Sequence, residues 1–525
     1  MEPVILSGDC DMPLLPLGKN PFGAVVVVLT AAALSFGTPL QHPSGKNPFG
    51  EGPGYWPLDG AIYEVNLEYF PNHSIRELTA AMPRLQKLGI RVIYMTPIFQ
   101  CFGTAQYLII NHFEINPRYG TVEDLKTLVE TAHRHGIRLL LDLVTSLTYD
   151  GTDIFKNHPD FILRGKDGKM QRYYPFPAWG WALDCTNPDV IEYFSKLVRH
   201  YIERFETDGW RKDSPLNNYD PEKVDGDHSR IKIMRAIKTA ITSARKDAIM
   251  VSEVTSPSFL WGPDDNTEEP LFDEMCEASY DFEFCGFLGG NDKDGFGYVV
   301  FDGSPAYRPM KPTPMNRVVK NQLTSKEFAD LVNSRPILYK RLRAYFIENH
   351  DTERVQRAFP GQHRTLFALA ASLPGIPVVH AGQEIGSTVH PNNTDSDKNP
   401  PIVDWTKGDS DLEAFYAKIL KIRSGNPAML SGDLKDVWGS GDKAIIFLRT
   451  RGEHAALVAL NFDSKAVKCT AAVTVAMPGS KAETSYRLRD EITGIESVHT
   501  GKALQRLELE LPPFGHRIIR ISRSK

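Results

Sequence analysis

Residues 121–144 of the chain read TVEDLKTLVETAHRHGIRLLLDLV, a helical pattern that leads directly into an apolar run. The helical part starts after Thr121, a residue suited to an N-cap, and closes at Gly136. The residues that follow are mostly aliphatic, as in a strand buried on both faces. Residues 74–98, SIRELTAAMPRLQKLGIRVIYMTPI, repeat the same order of signals. Each stretch therefore predicts a helix that leads into a strand of a parallel sheet.

Strand-like runs of this kind recur along the chain from about residue 58, with helical segments between them. Seven of them are clear and an eighth is weaker: 60–67, 91–98, 138–144, 208–214, 248–254, 343–351 and 376–384, with 279–284 as the weaker one. About eight βα units predict an α/β fold of the TIM type, a (β/α)8 barrel. A doubly wound open sheet is the alternative, but it usually has a Gly-rich phosphate turn after its first strand, which this sequence lacks.

Two interruptions of this pattern divide the chain. Residues 146–190, after the third predicted strand, are rich in aromatic and turn residues, and a βα loop of that length usually carries function. After about residue 430 the helical periods give way to alternating apolar and polar residues separated by turns. We therefore predict a barrel over 58–430 that includes the insert, and a C-terminal antiparallel β-sandwich over 431–525.

The composition excludes several classes of protein. The 525 residues are 42% hydrophobic and 24% charged, as in a soluble globular protein. A formal net charge of −5, without a block of Lys and Arg, predicts no nucleic-acid partner. The six cysteines are scattered without a CxxC pair, so neither a zinc site nor a disulfide framework is expected.

The N-terminal extension, residues 1–57, has a different character. Its apolar segment 23–36, GAVVVVLTAAALSF, is too short to cross a bilayer, so no stable membrane span is predicted. The segment resembles the hydrophobic region of a secretory signal, with Ser35 and Gly37 as small residues near a candidate cleavage point. The acidic residues that precede Lys19 argue against this interpretation. We expect a secreted or periplasmic protein, with a cytoplasmic one as the alternative.

Three of the predicted strands lead to a carboxylate: Asp213 in GWRKD, Glu253 in IMVSE and Asp351 in FIENHD. The C-terminal ends of barrel strands share one rim, where the active sites of such barrels lie. A single acid there is more often an ordinary strand-end residue, but three together repel one another unless a site uses them. Retaining glycoside hydrolysis uses a carboxylate nucleophile and a protonated carboxylic acid on either side of an oxocarbenium-like transition state.

The alternation of side chains along GWRKD assigns its charges to two faces. Arg211 and Asp213 share one face, and Lys212 lies on the other. An inward arginine lowers the pKa of a neighbouring aspartate and keeps it ionised, as a nucleophile requires. Lys212 is expected to point toward the helical layer, where it reaches solvent or meets an acid. Glu253 has no cation near it in sequence, so an apolar setting would raise its pKa toward that of a general acid.

From about residue 58 to the C-terminus, the chain resembles the α-amylase family of retaining glycoside hydrolases. GWRKD resembles the G-F-R-x-D segment of that family, whose aspartate is the nucleophile, here Asp213. Glu253 matches its general acid at the end of the fifth strand. Asn349, His350 and Asp351 match its N-H-D segment, whose aspartate grips the sugar hydroxyls and stabilises the transition state.

Other segments extend the resemblance. Asp142 in LLLDLV matches the aspartate that braces the family's arginine, here Arg211. The stretch INPRYGT places Tyr107 where a stacking tyrosine usually lies. LPGIPVVHAGQEIG at 373–386 resembles the family's eighth strand, and LPPFGHRIIRI at 511–521 resembles the end of its C-terminal β-domain. Because these motifs occur together and in the order found in the α-amylase family, the resemblance is specific.

The chain also departs from the family's pattern. Where the family has D-x-V-x-N-H, this sequence has DLVTSL, so Ser146 and Leu147 replace an asparagine that is often a calcium ligand and a histidine that contacts the sugar. We therefore expect an altered calcium site, no metal and no cofactor. Leu216 and Asn217 replace the family's common K-H pair after the nucleophile, which implies different contacts on the product side.

The insert contains two tryptophans, Trp179 and Trp181, within the stretch PFPAWGWALD. Exposed indoles stack on the faces of sugars, which makes Trp181 a candidate substrate-binding residue. The alternative, that these indoles anchor a small core of the loop itself, is equally compatible with the sequence.

Together these features predict an enzyme that cleaves α-linked glucosides or glucans, with an oligosaccharide or polysaccharide as its partner. The resemblance implies double displacement through a covalent glycosyl-aspartate. A transglycosylase or sugar isomerase that uses the same machinery is the first alternative, and the sequence does not distinguish it. A non-catalytic carbohydrate-binding or transport-accessory protein is the second, and retention of all three carboxylates disfavours it. The oligomeric state is left open.

Overall fold

The computed structural model describes most of the chain from residue 60 onward. The described ranges are 60–173, 180–214, 229–253, 276–286, 313–333, 342–389, 402–431, 433–440, 444–476 and 481–524. The predicted N-terminal extension, residues 1–57, lies outside them. Within the described ranges, no helix is both long and apolar enough to cross a membrane.

Eight parallel strands close into a barrel in which each strand pairs with its neighbours in chain order. They are β1 (Ala61–Val65), β2 (Ile90–Met95), β3 (Arg138–Leu143), β4 (Gly209–Lys212), β5 (Ile249–Ser252), β6 (Ala278–Tyr280), β7 (Leu342–Tyr345) and β8 (Ile376–His380). The predicted (β/α)8 fold is therefore confirmed, and the weak eighth candidate is β6. Almost every residue of these strands is buried, because the helices cover the outside and side chains fill the inside.

The described helices lie between and after these strands. Their bounds are Ile75–Ala80, Met82–Leu88, Val122–Arg134, Asp153–Asn157, Pro188–Phe205, Ser229–Ala244, Phe282–Cys285, Pro314–Val319, Ser325–Asn333, Val355–Ala358, His363–Ser372, Ser410–Ser424 and Pro427–Ser431. Thr121 caps the helix Val122–Arg134 as predicted, and its hydroxyl accepts the N–H of Asp124 in a capping box. Gly89 ends the helix Met82–Leu88 with φ +99°, a conformation that a Cβ disfavours.

Strand β7 is shorter than predicted, and the difference shapes the rim of the barrel. The prediction placed a strand over 343–351, but β7 ends at Tyr345. The residues that follow form a turn in which the side chain of Asn349 accepts the N–H of Asp351 at 3.0 Å. The Thr352 hydroxyl accepts the N–H of Asn349 at 2.8 Å. These local bonds replace the sheet ladder and hold Asp351 above the barrel.

Two hairpins extend from the C-terminal ends of β2 and β3. The first pairs Phe99–Phe102 with Ala105–Ile115 and carries Tyr107. The second pairs Leu147–Thr148 with Trp181–Ala182 and forms the described base of the insert. Both stand at the end of the barrel where the three predicted carboxylates lie.

The C-terminal domain consists of two antiparallel sheets, in agreement with the predicted sandwich. Its strands are β9 (Asp433–Asp436), β10 (Trp438–Ser440), β11 (Ala444–Arg451), β12 (His454–Asn461), β13 (Val467–Ala471), β14 (Ser485–Asp490), β15 (Glu496–Thr500), β16 (Leu507–Leu511) and β17 (His516–Arg523). A six-stranded sheet has the order β9-β11-β12-β17-β14-β15, and a three-stranded sheet has the order β10-β13-β16. Leu457, Leu509 and Ile519 belong to the apolar core that the two sheets share.

This domain is joined to the barrel by buried contacts. The Ser325 hydroxyl donates to the carbonyl of Ala444 at 2.6 Å and accepts the N–H of Ile446 at 2.8 Å. Phe328 of the same helix stacks on Phe447 of β11, with ring centroids 5.8 Å apart. These contacts attach the sandwich to the helix Ser325–Asn333 of the barrel.

Candidate active site

The predicted nucleophile segment lies where β4 ends, beside β3. Asp142 of β3 is directly opposite Arg211 of β4 in the sheet register. Nη1 of Arg211 lies 3.1 and 3.0 Å from the two carboxylate oxygens of Asp142 and 2.9 Å from Oδ1 of Asp213. Arg211 and Asp213 therefore share the inward face, as strand alternation predicts, and Asp142 braces Arg211.

Arg211 also contacts the third carboxylate, which the sequence does not reveal. Its Nη2 lies 2.9 Å from Oε2 of Glu253, so one guanidinium bridges Asp142, Asp213 and Glu253. The side chain of Arg211 is 1% exposed. A buried cation of this kind needs anionic partners. Desolvation by itself lowers the pKa of Arg211, but the negative charges of Asp142 and Glu253 outweigh it, and the net shift is well above the usual range.

Glu253 differs from Asp213 in its surroundings. Its Oε2 accepts the N–H and the hydroxyl of Ser214, both at 3.0 Å, and the residue is 5% exposed. Burial raises the pKa of Glu253 to about 8, assisted by the negative charges of Asp213 and Asp351 and opposed by Arg211. The sequence predicts a raised pKa from an apolar setting alone. In the structure the pKa of Glu253 is also raised, but a neighbouring cation and two neighbouring acids contribute to the shift as well as burial.

This raised pKa leads to a pH prediction. If Glu253 acts as a proton donor, kcat/KM should be level well below pH 8 and should fall with a midpoint near pH 8 as Glu253 loses its proton. Beyond that midpoint, the loss should approach about tenfold per pH unit. A pH profile of kcat/KM in buffers of constant ionic strength measures it. A profile that remains flat to pH 10 would exclude Glu253 as the donor.

Asp351 and His350 lie across the rim from Asp213. The Asp351 side chain is 40% exposed, and its Oδ2 lies 3.6 Å from Nε2 of His350. Asn349 is 1% exposed and supports the turn through the main-chain bond described above, rather than facing the cleft. Asp351 is thus exposed where a ligand can contact it, His350 is buried beside it, and Asn349 is placed to shape the loop.

Tyr107 joins the two sides of the site. Its hydroxyl donates to Oδ2 of Asp142 at 2.9 Å and lies 2.8 Å from Nε2 of His350. Its ring is nearly parallel to that of His350, with centroids 5.8 Å apart and an interplanar angle of 8°. The structure therefore brings together Asp142, Tyr107, His350 and the acids, as the sequence interpretation requires of them.

Four residues of this site were not predicted from the sequence. Tyr94 of β2 donates its hydroxyl to Oδ2 of Asp142 at 2.6 Å, and Tyr280 of β6 donates to Oε2 of Glu64 at 2.9 Å. Glu64 of β1 accepts from His350, and Ser214 holds Glu253. Of these four, only Glu64 could have been noticed in the sequence, because a carboxylate in the middle of a buried apolar strand needs a partner.

Lys212 does not behave as predicted. Its side chain is fully buried and does not reach solvent, and Nζ donates to the main-chain carbonyl of Asp213. Burial lowers the pKa of Lys212 to about 8, while Asp213 acts in the opposite direction. The buried thiol of Cys185, from the insert, also interacts with this ammonium. Cys185 of the insert thus lies near Lys212, and the sequence pattern of an isolated strand does not show a neighbour of this kind.

Trp181 lies at the base of the insert with partners from the insert itself. Its Nε1 donates to Oδ1 of Asp150 at 2.8 Å, and the guanidinium of Arg172 lies 3.9 Å from its ring centroid. Phe155 stacks on it at 6.4 Å. These contacts favour the interpretation of Trp181 as an anchor of the loop, and its stacking on sugar stays a prediction. Trp179 lies outside the described residues.

Ser146 stands where the family's pattern has an asparagine that is often a calcium ligand, and its side chain is a poor donor for that ion. Calcium prefers several carboxylate and carbonyl oxygens. Ser146 offers one neutral hydroxyl, which is buried and has no hydrogen-bond partner in the described ranges, and its carbonyl accepts the N–H of Leu183 at 3.1 Å. Leu147 offers an apolar side chain. In the same ranges, no three His, Cys, Asp or Glu side chains group together in a way that could hold a metal ion.

Comparison with known proteins agrees with this geometry. The family model described as alpha amylase, catalytic domain, matches residues 75–182 and 181–415. A cyclomaltodextrinase from a Bacillus species is 24% identical over 459 residues, which cover 81% of this chain and 70% of that protein. Alpha-amylase 2 of Dictyoglomus thermophilum is 23% identical over 427 residues, which cover 77% of this chain and 66% of that protein. The chain thus spans about two thirds of the length of these curated relatives.

Solved structures show the same fold. An α-amylase from Geobacillus thermoleovorans, solved in complex with acarbose, matches with a TM-score of 0.69 and 17% sequence identity over 90% of this chain and 100% of that one. A maltogenic α-amylase, AmyB, from Thermotoga neapolitana matches with a TM-score of 0.67 and 18% identity over 88% of this chain.

Proposed function

The chain belongs to the alpha-amylase family and is a glycoside hydrolase, and we propose that it cleaves α-linked glucosides or glucans by double displacement at Asp213 and Glu253. The observation that carries this proposal is the shared guanidinium of Arg211, which lies 2.9 Å from both carboxylates while their surroundings differ. The Asp213 carboxylate is ion-paired with Arg211 and is 14% exposed, whereas Glu253 is buried with a raised pKa. Such a pair supplies one anion and one acid at neutral pH.

In the first step, a carboxylate oxygen of Asp213 attacks the anomeric carbon as the bond to the leaving oxygen breaks. Glu253 transfers its proton to that oxygen, and a glycosyl ester of Asp213 forms. Arg211 is ion-paired with Asp213 before the attack, and Asp142 holds Arg211 in place. Asp351 and His350 bind ring hydroxyls as the oxocarbenium character develops.

In the second step, Glu253 is anionic and takes a proton from an incoming water. The water oxygen bonds to the anomeric carbon, the ester bond to Asp213 breaks, and the configuration at that carbon is retained overall. The Ser214 hydroxyl and N–H, which both donate to Oε2 of Glu253, stabilise its anionic form during this step.

A product analysis tests this function. Purified protein is incubated with maltooligosaccharides, trehalose and sucrose, and the products are followed by chromatography, with Asp213→Asn as the blank. Shorter α-linked sugars or glucose are expected from at least one substrate. Longer oligosaccharides would favour a transferase, and an isomeric disaccharide would favour an isomerase. No turnover of any α-linked substrate would contradict the proposal.

Activity without calcium is a second proposal, supported by the single neutral hydroxyl of Ser146 and by the lack of a metal-binding group of His, Cys, Asp or Glu within the described ranges. We expect kcat/KM and the melting temperature to stay unchanged after incubation with EGTA, because the described residues offer no cluster of carboxylates at that position. Both are measured before and after dialysis against the chelator. A loss that added calcium restores would contradict this expectation.

Export of the protein is also a proposal, and it rests on the apolar segment 23–36 alone. Expression of the full chain with its N-terminus intact, followed by N-terminal sequencing of the protein in each cell fraction, tests it. A cleaved chain outside the cytoplasm is expected. A chain that retains residues 1–37 in the cytoplasm would overturn it.

A further inference from the structure

We propose that Glu64 is a positioning residue that holds His350 as an imidazolium, with both ring nitrogens protonated, so that Nε2 acts only as a hydrogen-bond donor. The inference rests on the proposed function for its role in catalysis. The protonation state itself is a property of the protein that can be measured without a substrate. Neither Glu64 nor a fixed charge on His350 follows from the motifs in the sequence.

Glu64 holds His350 at two points. Its Oε1 accepts the main-chain N–H of His350 at 2.7 Å and lies 2.8 Å from Nδ1 of the same residue. Its Oε2 accepts the hydroxyl of Tyr280 at 2.9 Å. Glu64 is completely buried, so these bonds replace the water that an exposed carboxylate would have. Because a carboxylate only accepts hydrogen bonds, Nδ1 of His350 carries a proton.

The other nitrogen is assigned by counting protons on Tyr107. The Tyr107 hydroxyl has one hydrogen, and it contacts both Oδ2 of Asp142 at 2.9 Å and Nε2 of His350 at 2.8 Å. Asp142 is the counter-ion of the buried Arg211, so its oxygens accept. Tyr107 therefore donates to Asp142 and accepts from His350. Nε2 must carry a proton as well.

The charges that face His350 favour the same state. Glu64 and Asp351 are the nearest anions to His350, and Oδ2 of Asp351 lies 3.6 Å from Nε2. Asp142 and Glu253 also interact electrostatically with His350. Arg211 is the opposing cation, and Tyr94 packs edge-on at 6.4 Å. Burial alone would lower the pKa of the imidazole, but Asp351 and Glu64 outweigh it and raise the pKa to about 10.

A fixed imidazolium has a consequence for binding. The Nε2–H group, which donates to the Tyr107 hydroxyl, cannot accept a hydrogen bond from a sugar hydroxyl over the working pH range. Ionisation of His350 should then cause no rise or fall of kcat/KM between pH 5 and 8, although an ordinary histidine titrates in that range. A limb on the basic side below pH 9 should come from Glu253 or Lys212, whose pKa values both lie near 8, and not from His350.

The test is an NMR titration of protein labelled with ¹⁵N in its histidines, with His350 assigned by its loss in His350→Gln. Both ring nitrogens of His350 are expected to show protonated shifts from pH 6 to 9. His363 is an internal control, because burial lowers its pKa and it bonds to Gln356 and Tyr416 as a neutral ring. A His350 that titrates with an ordinary midpoint near 6.5 in the native protein would overturn the proposal.

The variant Glu64→Gln assigns the cause. It keeps the shape but removes the charge, so His350 should titrate at lower pH than in the native protein, and kcat/KM at pH 8 should fall about tenfold to a hundredfold. Glu68→Gln is the matched control, since Glu68 is 2% exposed and bonds Tyr119 and Arg118 instead. An unchanged His350 titration in Glu64→Gln would contradict the role of Glu64. A protonated His350 in an inactive native protein would refute only the catalytic function.

Discussion

Replacement of Asp213 by Asn should lower kcat/KM on every α-linked substrate by at least about 10,000-fold, because no other group can form the glycosyl ester. An amide is neutral and a poor nucleophile, but it preserves the shape of the side chain. Its oxygen can still accept from Nη1 of Arg211, which lies 2.9 Å from Oδ1 in the native protein. The loss should therefore be in kcat, with the fold intact. Steady-state kinetics and circular dichroism of the two proteins measure it.

Asp167→Asn is the matched control, since Asp167 is an exposed aspartate of the insert, with 59% of its side chain exposed. It should retain native activity. If Asp213→Asn kept even a tenth of the native kcat with no reversion of Asn to Asp by mass spectrometry, Asp213 would not be the nucleophile.

Replacement of Glu253 by Gln should lower kcat/KM by about 1,000-fold on substrates with a sugar leaving group, as expected for loss of a general acid. The amide cannot transfer a proton to the leaving oxygen or take one from water. The contact of Oε2 with Ser214 leaves room for an amide oxygen, so the site should keep its shape. The variant should also lose the part of the fall in activity above pH 8 that follows Glu253, and any fall that remains would belong to another group such as Lys212.

The choice of leaving group distinguishes loss of the general acid in Glu253→Gln from a general disruption of the active site. With an α-glucosyl fluoride, departure of fluoride needs little help from an acid, so formation of the glycosyl ester should be far less impaired by Glu253→Gln. Azide, which needs no deprotonation, should speed breakdown of the ester. Equal losses on the fluoride and on a maltooligosaccharide, with no effect of azide, would contradict the assignment.

The barrel could be predicted from local sequence because a buried parallel strand is a short, continuous apolar run bounded by helix signals. Residues 121–144 contain the capped helix and β3 in the order that the structure shows. The inward face of β4 was also predictable, since alternation has a fixed period of two. The strand ends were not, because local bonds such as those of Asn349 compete with the ladder.

Contacts between distant strands could not be predicted in this way. The bridge from Arg211 to Glu253 depends on the pairing of β4 with β5, and the bond from Glu64 to His350 joins β1 to the loop after β7. Lys212 illustrates the same limit, because it is buried and interacts with Cys185, which belongs to the insert and not to its own strand. Periodicity gives the direction of a side chain, while the element packed against it is decided by the tertiary fold.

The most direct test of the central claim is covalent trapping of the nucleophile. A fluorinated glucosyl fluoride, which forms the ester but slows its hydrolysis, is incubated with the native protein, and the tryptic digest is sequenced by mass spectrometry. We predict one added fluoroglucosyl group on the peptide 213–223, attached at Asp213 and not at Asp220 or Glu222. Turnover of the natural substrate with inversion at the anomeric carbon, or a label on any other residue, would contradict double displacement at Asp213.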